Sequence, residues 1–142
     1  AGNRRRVAAR AAVTLLLDTC VLLWLADDPA CLPPGVRKEL ADKDTRVHVS
    51  AMSALELGIK QRRGKLELPL PIGDWFAAMC RRSELDVVVV DAAIAAASAE
   101  LPEIHRDPFD RVLIATAQRL RLILVTPDET IRRYPDLDSL WA

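Results

Sequence analysis

The feature that most restricts the possible folds is a regular alternation of short apolar runs with segments of helical periodicity. Residues 13–17 and 122–125 are nearly continuous in apolar side chains. Such runs are typical of central strands in a parallel sheet, because helices cover both faces of that kind of sheet. The alternation therefore predicts a three-layer α/β/α domain with a central parallel sheet of four to five strands.

The other predicted elements fit the same architecture. Residues 46–49 and 87–90 are expected to be strands, the second of them buried, and the proline-punctuated residues 66–71 are expected to be a loop. Helices are expected at residues 19–26 and 35–41, from Ser50 or Ser53 to about 64, at 72–82, from Asp91 to before Pro102, and at 108–120, with a short helix and an edge segment in 131–142.

Capping residues mark several helix starts. Asp107 can accept a hydrogen bond from a free amide of the first turn, and Pro108 then falls at the first helical position, where its missing N–H costs nothing. Asp91 is expected to cap its helix in the same way. Ser53 and Glu56 have the spacing of a capping box.

Composition limits the compartment and excludes some kinds of site. The 142 residues suffice for one domain, and no apolar run approaches the ~18–20 residues that cross a bilayer. The arginine-rich start lacks the apolar core and cleavage site of a secretory signal. The cysteines are odd in number and form no CxxC pair, so neither a disulfide framework nor a zinc site is expected. We expect the protein to be located in a reducing cytoplasm.

The charge of the chain is unevenly distributed. Residues 1–12 carry four arginines and no acid, which leaves 16 basic and 20 acidic residues in 13–142, a net charge of −4. Residues 1–12 are therefore expected to be a basic, disordered extension that could touch nucleic acid. Residues 13–142 are expected to form the folded domain.

Four carboxylates can meet at one edge of the predicted sheet. Asp18 and Asp128 directly follow two predicted strands, and Asp110 lies in the first turn of the helix between them. Ligands of open parallel sheets bind at the carboxyl ends of the strands. Glu56 borders the apolar stripe of its helix, within an arc of roughly 100° that also holds Met52.

Each carboxylate also has a purely structural explanation. Asp18 could cap the helix that follows it, and Asp110 could complement a helix dipole, which is worth about 0.3–1 kcal/mol. Glu56 could close its capping box or pair with Lys60, four residues on, for about 0.2–0.5 kcal/mol. Asp128 could be a turn residue or the cap of the next helix.

The four together favour chemistry over structure. A pair of carboxylates 4 Å apart repels by about 4 kcal/mol at an effective dielectric constant near 20, so the cluster needs protons or a cation. All-oxygen ligands suit Mg²⁺ or Mn²⁺ rather than zinc. One or two such ions can activate a water and stabilise the leaving oxygen of a phosphoryl displacement, which indicates a phosphodiesterase or nuclease.

With these residues in place, the chain resembles the PIN-domain ribonucleases, and closely the VapC-type toxins of bacterial and archaeal toxin–antitoxin pairs. The resemblance extends in family order over nearly all of residues 13–142. The matching segments are residues 15–24, which contain Leu-Leu-Leu-Asp-Thr, residues 49–60 with 63–68, residues 105–117, which begin His-Arg-Asp-Pro-Phe-Asp-Arg, and residues 124–128, which end Val-Thr-Pro-Asp. Together these segments are highly specific.

The resemblance implies an acidic quartet of Asp18, Glu56, Asp110 and Asp128, with Asp107 outside it. It also implies Mg²⁺- or Mn²⁺-dependent RNA cleavage, a homodimer, and inhibition by a cognate VapB-type antitoxin that covers the acidic groove. Thr126 matches the threonine that precedes the last acid. It either orients a water or a metal ligand, or is a turn hydroxyl.

Because residues 13–142 carry a net negative charge, RNA would have to be bound through local basic residues. Candidates are Arg63, Lys65, Arg106 and Arg111, whereas Arg62 fits a solvated face better. His105 could contact the substrate, but with no serine or cysteine partner it predicts no histidine-based mechanism. Cys20 stands where the family commonly has histidine or asparagine.

Two rival functions use similar sequence features. A catalytically lapsed PIN-fold interaction module would share the fold, although the intact quartet argues against it. A phosphatase of the haloacid-dehalogenase type also begins from an aspartate after the first strand. That chemistry needs a second aspartate two residues later, where this chain has Cys20.

Overall fold

The computed structural model describes residues 12–142, so the predicted extension lies, apart from its last residue, outside the described residues. The elements run in the order β1 (Thr14–Leu17), α1 (Thr19–Asp27), a 3₁₀ turn (Pro29–Cys31), α2 (Pro34–Ala41), β2 (Arg46–Ser50), α3 (Ala51–Arg62), α4 (Ile72–Arg82), β3 (Leu85–Val88), α5 (Ala92–Glu100), α6 (Pro108–Leu120), β4 (Ile123–Val125), α7 (Glu129–Arg132) and β5 (Ser139–Leu140).

The five strands form one parallel sheet in the order β3-β2-β1-β4-β5. This confirms the predicted three-layer α/β fold with a parallel sheet. The chain builds the sheet outward from β1 in one direction and then returns to add β4 on its other side. The carboxyl ends of β1 and β4 consequently enclose the switch point of the topology, where sheets of this kind bind ligands.

The central strand is buried on both faces, which explains its continuous apolar sequence. Leu15 and Leu17 pack into a cluster with helices α1 to α4. Leu16 points to the other face and packs with Leu124 and with the apolar side of α6. All three β1 leucines have no solvent exposure, so the strand anchors both halves of the core.

The third strand departs from its prediction. It covers Leu85–Val88 rather than residues 87–90, and it forms an edge of the sheet. Val87 is half exposed, and Asp86 lies in solvent with Arg46 of the neighbouring strand at 3.1 Å. The prediction of a buried strand was wrong because an apolar run does not reveal whether a strand lies at the centre or the edge.

The predicted helix caps are correct at Asp91, at Asp107 and at Ser50, which was one of two caps predicted for α3, whereas the capping box at Ser53 is wrong. Asp107 accepts hydrogen bonds from the amides of the first turn of α6, and Asp91 does the same for α5. In α3, the hydroxyl of Ser50 accepts from the amide of Met52. The hydroxyl of Ser53 is buried inside α3 and lies 2.8 Å from that of Thr19, joining α3 to α1.

Among the helices of residues 12–142, none combines the length and the apolarity needed to cross a membrane.

The double-sided core predicts a strong dependence of stability on Leu124. Leu124→Ala should lower the free energy of unfolding by about 2–5 kcal/mol, because the side chain is fully buried and a cavity would remain. Leu120→Ala is the matched control, since Leu120 is half exposed, and it should change stability by about 0.5 kcal/mol or less. Urea denaturation measures both, and equal losses would contradict this description of the core.

Candidate active site

The four predicted acids line one open cleft at the carboxyl ends of β1 and β4. The cleft has a volume of about 470 Å³. Asp18 follows β1, Glu56 lies on α3, Asp110 begins α6 and Asp128 precedes α7. Its remaining lining residues are Thr19, Cys20, Leu23, Lys60, Asp107 and Pro127.

The side chain of Asp18 is held by Thr126, just past the adjacent strand β4, whereas only its backbone carbonyl bonds to its own helix. Its amide donates to the carbonyl of Val125 at 3.0 Å, and its Oδ2 accepts from Thr126 Oγ1 at 2.7 Å. The side chain makes no capping hydrogen bond to α1, so capping does not explain this residue. Burial raises the pKa of Asp18 and the charge of Glu56 adds to the increase, although the Thr126 bond opposes it.

Thr126 connects two of the acids. Its buried hydroxyl donates to Asp18 and also accepts from the amide of Asp128 at 3.1 Å. The hydroxyl therefore fixes the Asp18 carboxylate relative to the loop that carries Asp128. This contact makes Thr126 an orienting group for a site carboxylate in addition to a turn hydroxyl.

Glu56 is only half satisfied. Its Oε2 pairs with Lys60 Nζ at 3.3 Å, as the i,i+4 spacing predicted. Its Oε1 is buried and has no hydrogen-bond partner within residues 12–142. A buried, unpaired polar atom is costly and needs an explanation. A cation in the cleft would supply the missing partner.

Asp110 carries the strongest electrostatic perturbation of the cleft. Burial raises the pKa of its carboxyl to about 8, and the charges of Asp18, Asp107, Glu56 and Asp128 all contribute in the same direction. Without a cation, Asp110 is therefore protonated at neutral pH. Perturbation of this size by burial and neighbouring charge is characteristic of functional sites.

Asp128 behaves in the opposite way. Burial raises its pKa, but hydrogen bonds from the amides of Ile131 and Thr130 and from His105 outweigh that effect, and the pKa is lowered overall. The carboxylate also caps α7 through these amides, so its structural explanation holds alongside its place in the cleft. The surroundings therefore favour the ionised form of Asp128 and the neutral form of Asp110.

The donors in the cleft fit a hard divalent cation. Asp18, Glu56, Asp110 and Asp128 present carboxylate oxygens, the ligands that Mg²⁺ and Mn²⁺ prefer. Of the four acids, Asp110 and Asp128 have carboxylate oxygens within 4.8 Å of each other, and a ring nitrogen of His105 lies within the same distance of both. The unpaired Oε1 of Glu56 agrees with the same conclusion.

The sequence named His105 as a possible substrate contact and Lys60 as a possible partner of Glu56, but it did not predict that either lies among the carboxylates. His105 Nε2 lies 3.1 Å from Asp110 Oδ2 and 3.3 Å from Asp128 Oδ2. Lys60 lines the cleft and partners Glu56. The i,i+4 spacing from Glu56 was a usable signal for Lys60, whereas the position of His105 depends on a loop that no periodicity describes.

The predicted RNA contacts divide into two groups. Arg63 and Lys65 are exposed just beyond α3, and Arg106 is exposed beside His105. Arg111 is buried, and the prediction that it contacts RNA was wrong. Its guanidinium donates to carbonyls of the segment before α6, including those of Leu101 at 2.8 Å and His105 at 3.0 Å, which keeps it from a phosphate.

Cys20 lines the cleft but is not an activated nucleophile. Burial raises the pKa of its thiol to about 12, with the charge of Asp18 as the next contribution. A thiolate is the reactive form of cysteine, so the side chain stays neutral and weakly polar here.

Comparisons with known proteins agree with this geometry. A sequence model of the PIN domain matches residues 15–137. Ribonuclease VapC22 of Mycobacterium tuberculosis is 28% identical over 131 residues, which cover 90% of this chain and 98% of the relative.

Solved structures with the same fold include toxin–antitoxin complexes. VapBC2 from Rickettsia felis, bound to a DNA fragment from its promoter, gives a TM-score of 0.68 at 17% identity and covers 92% of this chain and 100% of that one. DNA-bound VapBC from Salmonella typhimurium gives 0.66 at 17% identity, covering 90% and 97%. At these identities the likeness concerns the fold.

The pKa of Asp110 predicts how stability changes with pH in a chelating buffer. A folded-state pKa of about 8, against 3.8 ordinarily, means that the protonated carboxyl stabilises the fold fully below pH 3.8. This contribution is lost as the pH rises through about 8. Asp110→Asn stays neutral, so above pH 8 its Tm should exceed that of the parent by at least about 3 °C.

The control for this comparison is Asp44→Asn, because Asp44 is exposed in the loop before β2. Thermal denaturation across pH should show the Asp110→Asn advantage shrinking towards pH 4, with no such trend for the control. An advantage independent of pH would contradict the assignment of the raised pKa to Asp110.

Proposed function

Because this chain belongs to the PIN-domain family, we propose that it is a Mg²⁺- or Mn²⁺-dependent endoribonuclease that acts as the toxin of a toxin–antitoxin pair. The observation that carries the proposal is the meeting of four carboxylates in one cleft, with Glu56 Oε1 buried and unpaired. Similarity to a protein named ribonuclease VapC22 supports RNA as the substrate.

Asp18, Glu56, Asp110 and Asp128 would hold the cation. When bound, it would supply an activated water and would neutralise charge on a phosphodiester in transition. Residues of the chain itself arrange the site for this: Thr126 fixes Asp18, and the amides of α7 keep Asp128 ionised. Release of the Asp110 proton to solvent would make both of its carboxylate oxygens available as ligands.

Basic side chains at the rim would position the RNA. Lys60 lines the cleft, and Arg106 is exposed on the segment that carries His105. Arg63 and Lys65 extend this positive surface past the end of α3. Phosphate contacts of this kind position a nucleic acid without reading its sequence, and they offset the net charge of −4 in residues 13–142.

Loss of a single carboxylate should abolish cleavage while the fold survives. Asp18→Asn and Glu56→Gln keep the shape of each side chain and remove its charge. Cleavage of a fluorescent RNA with Mg²⁺ or Mn²⁺ should fall by more than the roughly 10–100-fold that loss of an outer partner of a metal ligand costs. Chelation of the parent protein should have the same effect, reversed by added metal.

Asp44→Asn again serves as the matched control, and it should cleave at the parental rate. If Asp18→Asn retained that rate with metal present and a folded circular-dichroism spectrum, the site assignment would be wrong. A parent protein that binds Mn²⁺ but cuts no RNA would instead favour the catalytically lapsed module.

An apolar groove beside the acidic cleft supports the proposed antitoxin partner. It measures about 610 Å³ and lies between α3 and α4, where Leu55, Ile59 and Ile72 line it beside two arginines. Leu55 is 53% exposed, and large exposed apolar patches mark interaction sites. The two arginines of the groove, Arg62 and Arg63, suit an antitoxin segment that combines apolar and acidic residues.

Leu55→Asp should weaken this association. The substitution places a charge in the apolar groove, so the affinity for the co-expressed antitoxin should fall at least about 10-fold, the effect of losing one modest hot spot. RNA cleavage by the chain alone should be unchanged. Biolayer interferometry measures the affinity, and Leu120→Asp, on the exposed end of α6, is the control. Equal affinities for both variants would exclude this groove.

Two further expectations accompany the proposal. The homodimer implied by the family resemblance stays a prediction, and sedimentation of the purified chain tests it. A ribonuclease toxin acts where its RNA is, which places the proposed activity in the cytoplasm. The three cysteines are free, and this agrees with a reducing compartment.

A further inference from the structure

The imidazole of His105 lies between two of the acids. Its Nε2 is 3.1 Å from Asp110 Oδ2 and 3.3 Å from Asp128 Oδ2. Side chains in this arrangement suit either of two roles. The nitrogen can offer a lone pair to a metal together with the carboxylates, or it can carry a hydrogen and donate it to them.

The other ring nitrogen distinguishes the two roles. Nδ1 of His105 lies 3.1 Å from the backbone nitrogen of Asp107, which donates to it. A backbone amide is always a donor, so Nδ1 must be the acceptor and carries no hydrogen. The neutral ring then holds its single hydrogen on Nε2. A nitrogen that carries a hydrogen has no lone pair to give to a metal.

We propose that His105 is a positioning residue, fixed as the Nε2–H tautomer, that donates to the carboxylates of Asp110 and Asp128 and does not ligate the metal. Its role in RNA cleavage rests on the function proposed above, whereas the tautomer does not. With a cation in place, the Nε2–H would hold a carboxylate oxygen and so orient the ligand. Outer partners of this kind commonly orient metal ligands.

The backbone around His105 is held tightly enough to fix the ring. The amide of His105 donates to Tyr134 Oη at 2.7 Å, and its carbonyl accepts from Arg111 Nη1 at 3.0 Å. Arg111 also donates to the carbonyls of Pro102 and Leu101 at 3.0 and 2.8 Å. Tyr134 and Arg111 are both buried.

Arg111 thereby acquires a function that differs from the predicted RNA contact. It joins the end of α5 to the segment that carries His105, and it does so from the first turn of α6, next to Asp110 in the sequence. Arg111 holds the backbone of His105, and its neighbour Asp110 supplies a carboxylate that the imidazole contacts, so two adjacent residues of α6 set this arrangement.

The chain provides its own control for the tautomer. It contains two histidines, and the other, His48, has Nδ1 at 3.0 Å from the carbonyl oxygen of Leu15. A carbonyl only accepts, so Nδ1 of His48 must carry hydrogen. The two histidines are therefore expected to show opposite donor patterns at Nδ1.

Nitrogen-15 NMR of the histidine-labelled full chain, at mildly alkaline pH in a chelating buffer, tests the proposal directly. We expect a hydrogen on Nε2 and none on Nδ1 for His105, and a hydrogen on Nδ1 for His48, with His48→Gln assigning the signals. Addition of saturating Mg²⁺ should leave the His105 tautomer unchanged. A hydrogen on Nδ1 of His105, or its appearance there with Mg²⁺, would overturn the proposal.

Calorimetry of Mn²⁺ binding to variants provides the second readout. His105→Ala should weaken Mn²⁺ binding by about 10-fold or more, whereas His105→Gln should retain most of the affinity because its amide can still donate. His48→Gln should bind like the parent. Equal losses for alanine and glutamine would overturn the proposal. Absence of RNA cleavage with these affinities intact would refute the proposed function and leave the assignment of His105 standing.

Discussion

Mutual repulsion among four carboxylates at one end of the sheet is the interaction on which the rest of the site depends. The chain reduces that repulsion in different ways at different acids. The pKa of Asp110 is raised to about 8, so this carboxyl keeps its proton at lower pH. Asp128 is stabilised as an anion by backbone amides. Glu56 forms an ion pair with Lys60 through Oε2, whereas its Oε1 has no partner within the described residues. This uneven compensation is expected where a cation completes the arrangement.

The parallel sheet brings together acids that are far apart in sequence. Strands β1 and β4 are neighbours although over a hundred residues separate them, and the amide of Asp18 donates to the carbonyl that ends β4. The fully buried leucines of β1 stabilise this pairing from both faces. The apolar core therefore stabilises a fold that repulsion at the site destabilises, as is common where function requires like charges to be close.

The fold could be predicted from the sequence because its central strands are buried on both faces and its helices begin at recognisable caps. The acids at strand ends could be predicted for the same reason, since a parallel sheet places those ends together. The predictions that were wrong concern features that depend on tertiary contacts. Ser53 fits a capping box locally but lies inside the helix, where Thr19 binds it. Val87 belongs to an apolar run that proves to be an edge strand.

Arg111 and His105 illustrate the same limit within the site. An arginine beside an acidic motif at the start of a helix suggests a solvent-exposed phosphate contact. Arg111 is instead buried, and its guanidinium donates to carbonyls of a loop. That loop also delivers His105 to Asp110 and Asp128. Loop paths carry no periodicity, so neither contact can be read from residue spacing. Only the distances between named atoms reveal them.

The number of protons released when a cation binds tests most directly whether a cation completes the acidic site. Metal ligands must be deprotonated, so binding to a site that holds a proton releases it. Calorimetry of Mn²⁺ binding at neutral pH, in buffers of different ionisation enthalpy, should show release of about one proton by the parent chain because Asp110 has a pKa of about 8. Binding without proton release, or no binding at all, would contradict the account.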